Sequence, residues 1–463
     1  MAAPSLRRLA APALVFVVCA AAYCAVSGPR LGGPSPNAHY VVLAESWLHG
    51  RLDLGHAPPG TNDWACFDTV TRGPCPPGRY AFGGAGGARY RWYVSFPPFP
   101  ALVILPAVAL FGPGMSGPLF WALLAGLAPA LCFVVLRRLR EAGAGTDSVG
   151  EDVVLTAAFA FGSVFFFTAV QGSVWYAAHV VAGALLFIYL LAGFEARRPV
   201  LAGVALGLCV LTRPTTALLA VFFALEALRV CRARAADRGE ASRCEAPVAG
   251  VPSRMHAWLR GADWPRLLRR CGWFALPIVV IGAVGLAYNY ARFGDPLEFG
   301  HTFLQIRWRP RIEKWGLFNY HYLAKNLSVM LAGLPWLSAR PPHLQITGHG
   351  LALWLTSPWL LWALWPRRTS ALTVSLWAAV LPVAVLDLMY QNSGWVQFGY
   401  RFALDYLPLV VALIAVSGRR LRGGFVAAVV FAVCVNAFGA VTFDRAPRFY
   451  HIDPTQQTLF QPD

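Results

Sequence analysis

Apolar runs that approach the hydrocarbon thickness of a bilayer recur from one end of this chain to the other, and nothing else in the sequence limits the fold as strongly. Inside hydrocarbon the backbone has no water to bond, so such runs must be helices that satisfy their own N–H and C=O groups. The runs fall at about 10–26, 119–136, 153–170, 174–194, 200–211, 215–230, 273–288, 351–365, 371–389, 404–416 and 425–441. Several are shorter than the ~20 residues of a perpendicular helix, and flanking aromatics with local thinning can cover part of the deficit. Only 13% of the 463 residues are charged, about half the share of a soluble domain. The sequence predicts an all-α polytopic membrane protein, one integral-membrane domain over 1–463.

Arginine placement sets the expected topology. The stretch "PPFPALVILPAVALFG" (97–112) is apolar but short, with an internal Pro; that length suits a re-entrant or interfacial helix. If it does not cross, "RRLR" (137–140), "EARR" (195–198), the Arg-rich segment 229–270, "PRR" (366–368) and "GRRLR" (418–422) share a side with the N-terminus. That is the positive-inside pattern, with about eleven spans, the N-terminus inside and the tail at 442–463 outside. The start, with Arg7 and Arg8 before an apolar run and small residues, resembles a signal peptide; because the rest is also membrane-embedded, it reads as an uncleaved first helix. Two long loops then face outward, 28–118 (with juxtamembrane helices) and 289–350. The basic segment 231–270 reads as a cytoplasmic linker, with "MHAWLRGADWPRLLRR" (255–270) as an interfacial helix. The net charge of +17 fits this topology and anionic membrane lipids as partners; no nucleic-acid motif is present. No internal repeat is evident, which weighs against an inverted-repeat transporter.

Among ten Cys, Cys66 and Cys75 stand apart in a polar loop and could form a disulfide if that loop faces an oxidising compartment. No Cys/His cluster has metal spacing. In "RYRWYVSFPPFP" (89–100) and "QIRWRPRIEKW" (305–315), Arg alternates with Trp and Tyr. Aromatics settle at headgroup level and Arg can fork onto phosphate oxygens there, so a phosphate-bearing lipid or isoprenoid is a natural partner. Outward carboxylates are few: Glu45, Asp53, Asp63, Asp68, Asp295, Glu298, Glu313, the helix-end pair Asp387 and Asp405, and Asp444 and Asp453 in the tail. A general base would come from such a set.

In "SPNAHYVVLAESWLHGRLDL" (35–54), a helix puts Glu45 and His49 on one face and Asn37 and Tyr40 on another. Polar groups at span ends are costly and therefore informative. "QGSVWYAAHVVAG" brings Trp175 and His179, "LTRPTTALLA" breaks at Arg213-Pro214, and "NSGWVQFGYRFALDYLPLV" brings Gln397, Tyr400, Arg401 and Asp405. All three groups fall at one membrane face and point to one site. An ion pair of Arg401 with Asp405 is the local structural alternative.

The order of "HYVVLAESWLHGRL", "VSFPPFPALVILPAVALFG", "LGLCVLTRPTTALL", "YNYARFGDPLEFGH" and "FGYRFALDYLP" resembles the GT-C superfamily of polyprenyl-phosphate-sugar-dependent glycosyltransferases. That superfamily includes protein O-mannosyltransferases and aminoarabinose transferases, and the likeness, over nearly the whole chain, runs closest to uncharacterised bacterial members. It implies a GT-C-like fold in the cytoplasmic membrane and transfer of a sugar from a polyprenyl-phosphate donor to an extracytoplasmic cell-envelope acceptor. The superfamily's acidic pair, matched through Ala44 and Gly50, would fall at Pro36 and Asn37, where this chain has no carboxylate. Another carboxylate must then serve as base, Asp63 ahead of Glu45. Arg91, Arg213, Arg292 and Arg401 are candidates for the leaving phosphate, and Asn37, His39, His179 and Tyr400 for lining the site. Some members use a divalent metal; no ligand set is evident here, which leaves the cofactor open. The rival readings are a lipid-linked-sugar flippase or other transporter, and a non-catalytic subunit of a cell-envelope assembly.

Overall fold

A computed structural model describes residues 6–56, 58, 63–76, 89–236, 262–306 and 308–451. Among them, seven helices have the length and apolarity to cross a bilayer: Leu9–Gly32, Gly117–Glu141, Val174–Ala196, Pro214–Arg232, Trp264–Phe293, Ala371–Leu388 and Gly424–Thr442. These mark a membrane protein. Phe99–Phe111, Pro199–Val210 and Leu407–Val416 are apolar but shorter.

Two of the eleven expected spans are broken. The run 153–170 divides into Val149–Ala160 and Val164–Ala169. Ser163 accepts from the Phe165 N–H at 3.1 Å and donates to the Phe159 carbonyl at 2.6 Å, so it satisfies both sides of the break. The run 351–365 divides into Leu353–Thr356 and a 3-10 turn, Pro358–Leu364; Pro358 lacks the N–H an α-helix would need. The breaks satisfy backbone groups through side chains. The Trp359 indole donates to the Gly162 carbonyl at 2.6 Å, and the Asn436 amide donates to the Thr356 carbonyl at 2.6 Å. Irregular backbone at membrane depth is tolerated when it is buried in protein in this way.

The all-helical expectation also needs correction at the two long loops, 28–118 and 289–350. In the first, helix His39–Leu48 is followed by strand β1 (Trp64–Asp68), which pairs antiparallel with β2 (Gly73–Pro74) and β3 (Tyr90–Val94). Aromatic-rich segments favour a pleated surface, and the Cys66–Cys75 disulfide joins β1 to the residue after β2. In the second, β4 (Trp336–Leu337) and β5 (Leu344–Thr347) pair antiparallel, and β6 (Tyr450–His451) joins β5 in parallel. The two loops are themselves joined. Ala65 bridges to Leu304, and the Gln305 N–H donates to the Trp64 carbonyl at 3.3 Å. Phe67, Tyr93, Phe293 and Phe303 pack around this junction.

Of the expected interfacial helix at 255–270, residues 255–261 lie outside the described residues, as do 237–254 of the linker. Residues 264–270 are continuous with the span Trp264–Phe293, which Asp263 caps by accepting from the Arg266 N–H. No helix breaker separates Arg270 from Cys271, so the basic turns extend the span.

Small residues seat this long helix. Pro199–Val210 crosses it through Gly203 and Gly207, a small-xxx-small pair. A Cβ on Gly203 would lie 2.1 Å from the Phe274 carbonyl oxygen. Gly203→Ala should therefore destabilise the protein by about 1–3 kcal/mol, read as thermal unfolding in detergent. Gly282→Ala on the long helix, where a Cβ would meet nothing within 4 Å, should be neutral or stabilising by up to about 1 kcal/mol.

Candidate active site

Helix directions bring the polar ends together. Val174–Gly193 begins, Pro199–Val210 ends, Ala371–Leu388 ends and Leu407–Val416 begins around one cavity of about 240 Å³. The first outer loop adds Tyr40, Asp63 and Ser95 to its lining, and the second adds His301, Leu304 and Trp308. Burial, reinforced by the Arg292 charge, holds the His301 ring down at about 4, so it is neutral near pH 7.

The best-satisfied part of the wall is an ion pair. Arg213 follows the end of Pro199–Val210, and Pro214 stops the helix from continuing. Its guanidinium forks onto Asp405, with Nε 3.0 Å from both carboxylate oxygens and Nη2 2.7 Å from Oδ2. Thr215 donates to Oδ2 at 2.9 Å, and His179 Nδ1 lies 3.2 Å from Oδ1. Asp405 and His179 are fully buried. A buried pair offsets its desolvation only when geometry is good and other donors assist; here the fork is bidentate and Thr215 adds a donor at Oδ2.

Arg401 is held differently. It is 5% exposed and lines the cavity. Its Nη1 donates to the carbonyls of Gly394 and Val396, and its guanidinium lies over Tyr176 and Phe402 at 5.4 and 5.2 Å. Among the described residues it makes no ion pair with a carboxylate, and its Nε has no hydrogen-bond partner. Gln397 fixes the loop beneath it, donating to the carbonyls of His349 and Ser393 and accepting from the Arg401 N–H at 3.1 Å.

Asp63 faces the same space from the first outer loop. It accepts from the Trp175 indole N–H at 2.8 Å. Burial raises its carboxyl above the usual carboxylate range, while the Trp175 bond and the Arg401 charge partly counter the shift. Asp63 has φ 59°, a left-handed conformation that Asp tolerates better than most residues. The turn aims its side chain inward just before β1 leaves the site.

The structure thus brings Asp63, Arg213 and Arg401 together at the cavity, with His179 buried beside Asp405. Tyr400 is buried beside them at 1% exposure but does not line the space. Other sequence candidates lie elsewhere. Glu45 is half-buried outside the lining, and the His49 it was expected to face bonds its backbone carbonyl at 2.9 Å. Asn37 holds Val174 through its own carbonyl at 3.2 Å. His39 is buried and stacks on Trp64 at 3.8 Å. Arg91 is exposed on β3, 3.8 Å from Asp53. Arg292 is buried, but its nitrogens donate to the Val94 carbonyl at 2.9 Å and to Asn289 at 2.7 Å; it latches the long helix to β3. The local Arg401–Asp405 pair does not form, because Arg213 takes the carboxylate. Asp387 and Tyr40, absent from the sequence-derived site, both line the cavity. Their signal was position: Asp387 ends an apolar helix, and Tyr40 shares a face with Asn37. No group of three or more His, Cys, Asp or Glu among the described residues could hold a metal ion, so no step is derived through one.

No family model and no curated protein matches the chain. It is similar to solved structures of an archaeal oligosaccharyltransferase from Archaeoglobus fulgidus. Against the apo form the identity is 14% and the TM-score 0.40, covering 96% of this chain and 57% of that one. Against the complex with an inhibitory peptide and a dolichol-phosphate the values are 14% and 0.40, covering 98% and 57%. The chain spans less than two thirds of that protein's length. At this level the likeness assigns no activity, and any reading has to come from the cavity itself.

The ion pair yields a direct test. Asp405→Asn leaves Arg213 buried without a counter-charge and should cost about 3–5 kcal/mol. The double change Arg213→Met with Asp405→Leu should cost less than either single change, measured as a double-mutant cycle of unfolding free energies.

Proposed function

We propose that this protein is a membrane glycosyltransferase that moves a sugar from a polyprenyl-phosphate donor to an acceptor hydroxyl on the extracytoplasmic side, in a cell-envelope glycan, lipid or protein. One observation carries the reading. A desolvated carboxylate, Asp63, shares a cavity with Arg401, a buried guanidinium that has no carboxylate partner among the described residues. Such a guanidinium is matched by an anion that enters, and a phosphate ester fits its donor geometry.

In this reading the acceptor O–H bond breaks and its proton passes to Asp63. The freed oxygen forms a bond to the anomeric carbon as the bond from that carbon to the phosphate oxygen breaks. The bond's electron pair leaves with the lipid phosphate, whose added charge Arg401 and the remaining terminal nitrogen of Arg213, Nη1, stabilise. Burial suits Asp63 to this task, because a base with a raised pKa holds the proton more strongly once it arrives. Its bond to Trp175 fixes the carboxylate's direction. Phe299, Leu304, Ile306 and Phe318 line the cavity from the second outer loop and offer an apolar wall to the first isoprene units.

Further support comes from the Cys66–Cys75 disulfide, since such bonds persist in oxidising compartments. That favours an outward-facing first loop in a cytoplasmic membrane. A flippase would need polar residues at mid-membrane with access from both sides. Here the polar groups of the cavity come from helix ends at a single face.

The reading is tested with the full chain in liposomes carrying a polyprenyl-phosphate sugar. Asp63→Asn should lower kcat by about 10²–10⁴, and Arg401→Gln by about 10²–10³. Full transfer rates in both variants would end the proposal. The pH dependence has a defined sign. Activity requires Asp63 deprotonated, so it should fall as pH drops through a pKa above that of an ordinary Asp. Trp175→Phe removes a donor that favours the carboxylate; it should move this acid limb to higher pH.

A further inference from the structure

Asp387 is the carboxylate in the cavity that the transfer step leaves unused. It sits in the last turn of Ala371–Leu388, is 2% exposed and lines the cavity. Its Oδ2 has no hydrogen-bond partner. The surroundings explain why. Arg213, the nearby cation, is turned onto Asp405 through Nε and Nη2. Thr215 lies within reach of both carboxylates but has one hydroxyl proton, which goes to Asp405 at 2.9 Å. A buried carboxylate oxygen without a donor is costly. One that opens onto a cavity is satisfied by whatever enters.

We propose that Asp387 accepts a hydrogen bond from a ring hydroxyl of the transferred glycosyl group and so determines which sugar the protein accepts. The assignment rests on the glycosyl-transfer reading. A phosphate drawn to Arg401 and the open side of Arg213 brings the group esterified to it alongside Asp387. That gap has the phosphate site on one side and the unpartnered Oδ2 of Asp387 on the other. A group placed between them binds well only if it offers donors to the carboxylate. A sugar ring does so through its hydroxyls; an isoprenoid chain has none. The isoprenoid therefore goes to the apolar wall of the second loop, and the sugar to the pocket between Arg213 and Asp387. A site built to accept a hydrogen bond from a substrate hydroxyl strongly rejects the analogue that lacks it, because its own buried group is then left unmatched.

Binding to the full chain in lipid nanodiscs tests this. The probes are bare polyprenyl phosphate, a polyprenyl-phosphate hexose, and the same donor with each ring hydroxyl removed in turn. The unsubstituted protein should bind the complete donor about ten- to a hundredfold more tightly than one of the deoxy donors. In Asp387→Ala that ratio should collapse to about one, while bare polyprenyl phosphate binds as well as before, which also reports an intact fold. Asp387→Asn, which keeps one acceptor oxygen in place, should retain part of the ratio. The proposal is overturned if discrimination survives in Asp387→Ala, if that variant loses bare phosphate and sugar donor alike, or if the hexose donor binds no more tightly than any deoxy donor. Failure of the transfer reading looks different: the unsubstituted protein would then bind and discriminate these donors but transfer nothing.

Discussion

The fork between Arg213 and Asp405 is the interaction on which the rest of the site depends. It joins residues 192 positions apart in sequence, one at the end of a short helix stopped by Pro214 and one at the end of a 3-10 turn, Arg401–Asp405. Low dielectric makes the attraction strong and also makes either partner alone expensive to bury. Thr215 adds a donor to Asp405, and the buried His179 ring lies beside it, 3.2 Å from Oδ1. The segment that carries Asp405 also carries Arg401, so the pair that satisfies Arg213 fixes the second guanidinium as well. Asp387 takes its character from the same fork, which claims the donors it would otherwise use.

The outer loops act as a second frame over this one. Asp63 occupies a strained turn directly before β1. What fixes that turn is the set of connections around the strand: the Cys66–Cys75 disulfide, the pairing with β3, and the bridge from Ala65 to Leu304. Arg292 belongs to the frame too, since it ties the end of the Trp264–Phe293 helix to Val94 at the end of β3. The second loop thus touches the strand that follows Asp63 through backbone contacts, although Asp63 lies in the first.

Much of this was legible in the sequence where the signal is local. Apolar runs gave the long helices, and the rule that polar groups avoid hydrocarbon drew attention to Trp175, Arg213 and Arg401 at span ends. Two kinds of information were not local. The breaks at Gly162–Ser163 and at Ser357–Pro358 are stabilised by Trp359 and Asn436 from distant segments, so a run of apolar residues looked continuous. Ionic partners were equally hidden. Asp405 lies one helical turn from Arg401 in sequence, yet its cation is Arg213. Glu45 and Asp63 were both carboxylates of the first loop, and only the fold separates a half-buried residue on the outside of a helix from one turned into the cavity. The small sheets were missed because their strands are short and one of them, β2, includes a Pro.

The four arginines first considered as equivalent show how a functional cation is told from a structural one. What distinguishes them is how their donors are spent. Arg91 is exposed and faces Asp53, so water screens whatever it could offer a ligand. Arg292 is buried, but a carbonyl and Asn289 engage its terminal nitrogens away from the cavity. Arg213 lines the cavity with its charge already balanced by Asp405. Arg401 lines the same cavity, rests on backbone carbonyls that orient it without neutralising it, and lies near enough to Asp63 for each charge to influence the other. Backbone carbonyls carry only partial charge, so the protein has bought orientation at Arg401 without compensation. An entering anion supplies the compensation, and in doing so it weakens the field that helps keep Asp63 ionised. On the proposed function, phosphate binding and the proton affinity of Asp63 would therefore be linked through one guanidinium, since each of the two charges influences the other.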